Sequence, residues 1–319
     1  MTNLEQPRAV PAASLEAAIV ARRYFIDDKQ KSEIADELGL SRFKVARLLD
    51  EARASGIVRI YVDMPAEIDL PLGEQIVGKF GIQRAVVVRT LPNSARSTPA
   101  IVGAAAADYL RSILSDGLEL GISWGSSLTA VVDAVTSLPA VDVVQMVGGV
   151  RAGKMDISGV ELVRRLSEKA GGHAYPLHAP LLVRTPEMAV DLRQDPSLAE
   201  AIGRFDSLDV ALVGVGSWAP PQSSLRAELG VKEREELEHS GAVADLCSLV
   251  FDVEGGLIDS PVLRRTVGIT ADELRTVPEV VAVAGGVDKA KAISSVLRSG
   301  IVNTIVTDSA TAAILVALG

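Results

Sequence analysis

Hydrophobic positions along the chain fall into two textures. Across residues 14–55 apolar residues recur at three- and four-residue spacing, as on helices, with almost no strand signal. From Ala85 onward, short Val/Ile/Leu runs alternate with amphipathic stretches. Ala85–Val88, Leu118–Ile122, Val141–Val147, Asp209–Val215, Ala242–Phe251, Val280–Ala284 and Asn303–Thr307 are the predicted strands. Several are apolar on both faces, as strands in a covered parallel sheet tend to be. Pro99–Leu114, Ser126–Val135, Val160–Lys169, Lys289–Arg298 and Ser309–Leu318 read as helices between them. Strand and helix in alternation predict a doubly wound, Rossmann-like α/β domain. Two prolines among acidic residues in Asp63–Pro71 mark the boundary, giving a helical domain over 1–62 and an α/β domain over 63–319.

Composition supports two folded domains. The 319 residues suffice for about two at the usual ~100–200 residues each. With 48% hydrophobic and 23% charged residues, disorder is excluded as the main state. Aromatics are only 3%, so the core must be built from Val, Ala, Leu and Ile. One cysteine, Cys247, excludes a disulfide scaffold and a cysteine zinc site and fits a reducing, cytoplasmic setting. It is expected to be a small buried hydrophobe in mid-strand. The longest uncharged stretch, Val210–Leu225, is broken by Pro220-Pro221, so no membrane span is expected. The N-terminus lacks the apolar core of a signal peptide.

Net charge is −9, but residues 1–60 carry +1 and the remainder −10. Within Ser41–Arg59, Arg42, Lys44, Arg47, Arg53 and Arg59 face only Asp50 and Glu51. Affinity for nucleic acid follows this local balance and not the total.

The most specific short pattern is Lys31–Asp50. Ile34, Ala35 and Leu38 form the inner face of one short helix. Gly39 permits a left-handed turn, Leu40 plugs it, and Ser41 caps a second helix whose Val45, Leu48 and Leu49 face inward. That combination predicts a helix-turn-helix. Ser41, Arg42, Lys44 and Arg47 then lie where recognition helices meet base edges and phosphates. Arg42 or Arg47 suits a guanine edge, and Lys44 suits phosphate. The plainer alternative is a solvated basic face. Arg53–Val62 reads as a helix end followed by a strand over Ile57–Val62, a wing or a connector.

In the α/β region, Gly121-Ile-Ser-Trp-Gly-Ser-Ser-Leu128 joins a strand to a helix. Backbone N–H groups at such a helix start, with the hydroxyls of Ser123, Ser126 and Ser127, suit an anion such as phosphate. The alternative is a tight turn capped by serine. No Gly-Lys-Ser/Thr follows, so this is not a P-loop. Gly148-Gly149, Gly214-Val-Gly216 and Gly285-Gly286 also end strands, where parallel sheets place ligands. Lys289 opens the helix after the last pair, within reach of the same sheet edge or simply solvated.

These motifs, with Phe251-Asp-Val-Glu-Gly255, Ala284-Gly-Gly-Val-Asp-Lys-Ala-Lys-Ala-Ile293 and Asn303-Thr-Ile-Val-Thr-Asp-Ser-Ala-Thr-Ala312 following in order, make the chain resemble the SorC (SorC/DeoR-like) family of bacterial sugar-sensing transcriptional regulators. The resemblance runs from about Leu15 to the C-terminus. It implies a C-terminal domain similar to phosphosugar isomerases that binds an effector without turning it over. By that resemblance Ser123, Gly125, Ser126 and Ser127 hold the effector phosphate and Lys289 supports it. Gly148 and Gly149 line the sugar pocket, Asp252 accepts sugar hydroxyls, and Gln145 is a weaker candidate at its strand end. Ser126-Ser127 stand where many members have Arg/Gly-Thr, which leaves the sugar identity open and admits an unphosphorylated polyol. The implied partners are operator DNA, a sugar phosphate or polyol, and further copies of the chain as a homodimer or homotetramer. No cofactor, metal or membrane partner is expected.

The competing reading is a sugar-phosphate isomerase or deaminase with an accessory DNA-binding domain. Such chemistry needs a positioned base. Asp252 qualifies, but no histidine partner follows Gly216, and no catalytic residue is assigned. His173, His178 and His239 lack metal-ligand spacing. His239 is expected in solvent, and His178 buried and hydrogen-bonded. Trp124 suits stacking on a ligand or packing beneath the serine loop, and the second is expected.

Overall fold

The computed structural model describes residues 12–58, 67–90, 97–150 and 158–318. The chain forms two compact units, Met1–Met64 and Pro65–Gly319.

The smaller unit is helical: α1 (Ala12–Phe25), α2 (Lys31–Leu38) and α3 (Arg42–Ala54). Its core is small and aliphatic, with Ala17, Val20 and Ala21 of α1 meeting Ile34 and Ala35 of α2 and Val45, Leu48, Leu49 and Ala52 of α3. Gly39 ends α2 at φ 65° and ψ 31°, a conformation that costs any residue with a Cβ. The amide of Leu40 then closes onto the Ala35 carbonyl at 2.9 Å. Ser41 caps α3 by accepting the Lys44 amide at 3.2 Å. Of the strand expected over Ile57–Val62, residues 57 and 58 form a bend and the rest lies outside the described residues.

The larger unit is built on a seven-stranded sheet of β1 (Arg84–Val88), β2 (Glu119–Ile122), β3 (Asp142–Gln145), β4 (Ala174–Tyr175), β5 (Val210–Gly214), β9 (Glu279–Val283) and β10 (Thr304–Asp308). The order is β1-β10-β9-β5-β2-β3-β4, and every pairing is parallel. Alternate residues of one strand enter opposite cores: Val280 and Ala282 join one cluster, Val281 and Val283 the other. This explains why the strands read as continuous apolar runs.

Helices α5 (Thr98–Ile113), α6 (Ser126–Ala134) and α7 (Gly159–Ala170) cover one face through Val102, Ala106, Val131, Leu162 and Leu166. The other face carries α4 (Leu70–Phe80), the helices Ala290–Arg298 and Ser309–Ala317, and a small antiparallel sheet. That sheet comprises β6 (Gly216–Ser217), β7 (Ala244–Leu246) and β8 (Leu249–Phe251), in that order.

The single strand expected over Ala242–Phe251 is therefore a hairpin. Leu246 pairs with Leu249, leaving Cys247-Ser248 as a two-residue turn with both φ angles positive, at 50° and 69°. Such turns follow the twist of the strands and usually carry Asn or Gly, so nothing in the composition signalled this one. No helix among the described residues is long and apolar enough to cross a membrane.

Candidate functional site

Leaving β2 the chain turns towards β3, whereas leaving β5 it turns, by way of the small sheet, towards β9. The carboxyl ends of the adjacent strands β2 and β5 thus flank a topological switch point, where open α/β sheets leave a crevice. A cavity of about 580 Å³, counting the space at its mouth, lies there.

One wall is the β2–α6 loop. The Ser123 amide continues the β2–β5 ladder by donating to the Leu212 carbonyl at 3.1 Å, and the Gly214 amide approaches the Ser123 hydroxyl at 3.4 Å. Trp124 anchors the loop by donating its indole N–H to the Gly148 carbonyl at 3.0 Å, and its ring packs against the core. Gly125 is the N-cap of α6, accepting the Thr129 amide at 2.9 Å. The opening amides of α6, which have no intrahelical acceptor, lie beside the hydroxyls of Ser126 and Ser127 at the cavity.

Charged side chains also line the cavity. Lys289, in the turn after β9, donates its ammonium to the Val215 carbonyl at 3.2 Å. Burial lowers its pKa, against the pull of the Asp245 charge. Asp245, on β7, is buried and accepts the Trp218 indole N–H at 3.1 Å. Burial pushes its carboxyl up to about 6, opposed by hydrogen bonds from Ser223 and Trp218 and by the Lys289 charge. The hairpin tip, Cys247-Ser248, also lines the cavity. Burial pushes the Cys247 thiol up to about 12, which keeps it protonated and unreactive. Cys247 is buried as expected, but it sits at a turn and not in mid-strand.

The structure therefore brings Ser123, Gly125, Ser126, Ser127 and Lys289 to one cavity. It places four other expected residues elsewhere. Gln145 is fully buried, donating to the Val147 carbonyl at 2.7 Å and accepting the Leu177 amide at 3.2 Å, so both ends of its amide are occupied. Gly148 packs under the Pro180 carbonyl, which an added Cβ would approach to 2.6 Å. Gly149 pairs with Ala179 and Leu181 and borders a separate, wider depression with Arg265 and Glu233. Asp252 follows β8 and closes a turn, its carboxylate accepting the amides of Glu254 and Gly256 at 2.9 and 2.8 Å.

Asp245 and Ser248 were missed. An aspartate inside the apolar run Ala242–Phe251 was the available signal, since a buried carboxylate is kept in place for some purpose. His178 is exposed, contrary to expectation, and His239 is exposed with its Nδ1 2.6 Å from the Glu235 carbonyl. No cluster of three metal-ligating groups occurs among the described residues.

In the helical unit, α3 turns Arg42, Phe43 and Arg47 to solvent. Neither guanidinium has a carboxylate partner among the described residues. Lys44 is half-buried, its ammonium paired with Glu16 of α1 at 2.9 Å, and the Ser41 hydroxyl is engaged as the cap.

Comparison with known proteins agrees with this architecture. Residues 65–317 match the family model described as "Putative sugar-binding domain". The transcriptional regulator LsrR of Enterobacter sp. (strain 638) is 30% identical over 98% of this chain and 97% of its own. The deoxyribonucleoside regulator of Bacillus subtilis (strain 168) is 28% identical over 95% and 96%. The crystal structure of the full-length sorbitol operon regulator SorC from Klebsiella pneumoniae superposes with a TM-score of 0.72 at 28% identity, covering 95% of this chain and 99% of that one. A match over both units, together with the parallel sheet and its switch-point cavity, means that the chain belongs to the SorC family of sugar-binding transcriptional regulators.

Proposed function

We infer from this family membership that the chain exerts sugar-responsive control of transcription. We propose that residues 1–62 bind operator DNA through a helix-turn-helix formed by α2 and α3. Residues 63–319 hold a phosphorylated sugar, or a related polyol, and assemble the chain into at least a dimer, since such motifs read paired half-sites. The cytoplasm is where such a regulator acts.

The observation that carries the effector assignment is the pairing, in one cavity, of the α6 N-terminus and Lys289 with the buried carboxylate of Asp245. The first two suit a phosphate, and the carboxylate suits sugar hydroxyls. Effector binding rather than turnover is favoured by the relatives, which are named as regulators. Regulation requires that the effector bind the DNA-competent and DNA-incompetent states with different affinity.

A thermal-shift screen against sugars, polyols and their phosphates tests the assignment. A ligand at 100 times its Kd adds about 2.7 kcal/mol, a visible shift. The expected hit is phosphorylated and its shift is lost in Ser127→Ala and Lys289→Ala, with operator binding retained. A hit confined to unphosphorylated polyols removes the phosphate role of the serine loop.

A further inference from the structure

The most exposed large apolar side chain among the described residues is Phe43, at 90% of its full exposure. It is the second residue of α3, far from the aliphatic core that Val45, Leu48 and Leu49 form on the opposite side of the helix. Residues four apart on a helix are neighbours, so Phe43 and Arg47 share one exposed face, with Arg42 beside them. Lys44, the remaining cation of this turn, is drawn away to Glu16. The solvent face of the first turns of α3 is thus an aromatic ring bracketed by two guanidinium groups without carboxylate partners among the described residues.

Charge complementarity selects the occupant. A ring between two uncompensated cations fits a polyanion that also offers apolar groups at its reading edge. Duplex DNA does so in the major groove, where the thymine 5-methyl group stands next to base-edge acceptors and between the phosphate rails. We propose that Phe43 is a base-reading residue that contacts a thymine methyl group, with Arg42 and Arg47 serving phosphate or guanine beside it. The proposal rests on the DNA-binding reading of α3 and adds to it the residue and the base that set sequence preference.

The full-length protein is first used to select its preferred duplex from a random-sequence library. Each thymine of that duplex is then replaced in turn by deoxyuridine, which deletes only the methyl group, and affinities are measured for wild type, Phe43→Ala and Phe43→Leu. Wild type is expected to lose about fourfold at one thymine per half-site, the effect of one buried methyl group. Phe43→Ala should bind the unmodified duplex at least about tenfold more weakly and be indifferent to deoxyuridine at that position, while Phe43→Leu keeps the methyl dependence. Because the ring is exposed, neither variant should change the unfolding temperature.

An equal deoxyuridine loss in wild type and Phe43→Ala overturns the proposal, as does a wild type indifferent to every thymine methyl. If Phe43→Ala instead dissociates the oligomer, the ring is a contact between copies and the proposal falls. Failure of wild type to enrich any sequence removes the DNA-binding reading itself, a result distinct from enrichment of a duplex whose thymine methyls are not read through Phe43.

Discussion

Asp245 is the residue at which stability and function pull apart most clearly. Its carboxyl keeps a proton up to about pH 6, where an ordinary aspartate releases it near 3.8. Between those values the native state therefore holds more protons than the unfolded chain. Stability falls as pH rises across that window and the penalty is constant above it. The rise from 3.8 to about 6 amounts to about 3 kcal/mol. Asp245→Asn mimics the protonated side chain at every pH, so it should raise the unfolding temperature of the free protein at pH 7–8, with the gain vanishing towards pH 4. The same change should abolish the effector-induced shift. A variant that is less stable than wild type at pH 7 would show that the carboxylate is needed for the fold and not for a ligand. The run Ala242–Phe251 contained this information, because an aspartate inside an apolar strand is costly without a purpose. The serine loop was easier to see, since glycine and serine at a strand–helix junction have few other reasons to cluster.

Elements were legible where the physics is local. The central strands show in the sequence because both of their faces are covered, and the α2–α3 turn shows because Gly39 and Ser41 each answer a backbone demand. The β7–β8 hairpin was hidden, because Cys247 and Ser248 are buried and neither is the Asn or Gly that such a turn usually carries. Glycine at a strand end proved ambiguous for a similar reason, since close approach to a ligand and close approach to the chain itself select the same residue. Gly148 belongs to the second kind, as the Pro180 carbonyl occupies the space a side chain would need. Gly148→Ala should therefore destabilise the larger unit by about 1–3 kcal/mol, through displacement of backbone rather than obstruction of a ligand. Thermal unfolding with and without effector separates the two cases. The expected outcome is a lower unfolding temperature with the effector increment preserved, and loss of the increment at an unchanged unfolding temperature would return Gly148 to the ligand wall.

For the whole molecule, charge is divided unevenly between the two units. The acidic surplus lies wholly in the larger unit, while acidic and basic residues balance in the smaller, where Arg42 and Arg47 are exposed. Among the described residues, those that line the cavity belong to the larger unit, as do both clusters that cover its sheet. Effector binding should accordingly survive removal of the smaller unit. A chain spanning 65–319 is expected to unfold cooperatively and to give the same effector-induced shift as the full-length protein, while losing all affinity for the selected duplex. Arg47→Ala in the full chain supplies the complementary case, with the effector shift intact and DNA affinity reduced. A truncated chain that folds but no longer binds effector would mean that the helical unit completes the site, and the effector would then act on DNA affinity by direct contact rather than by choosing between two states of the larger unit.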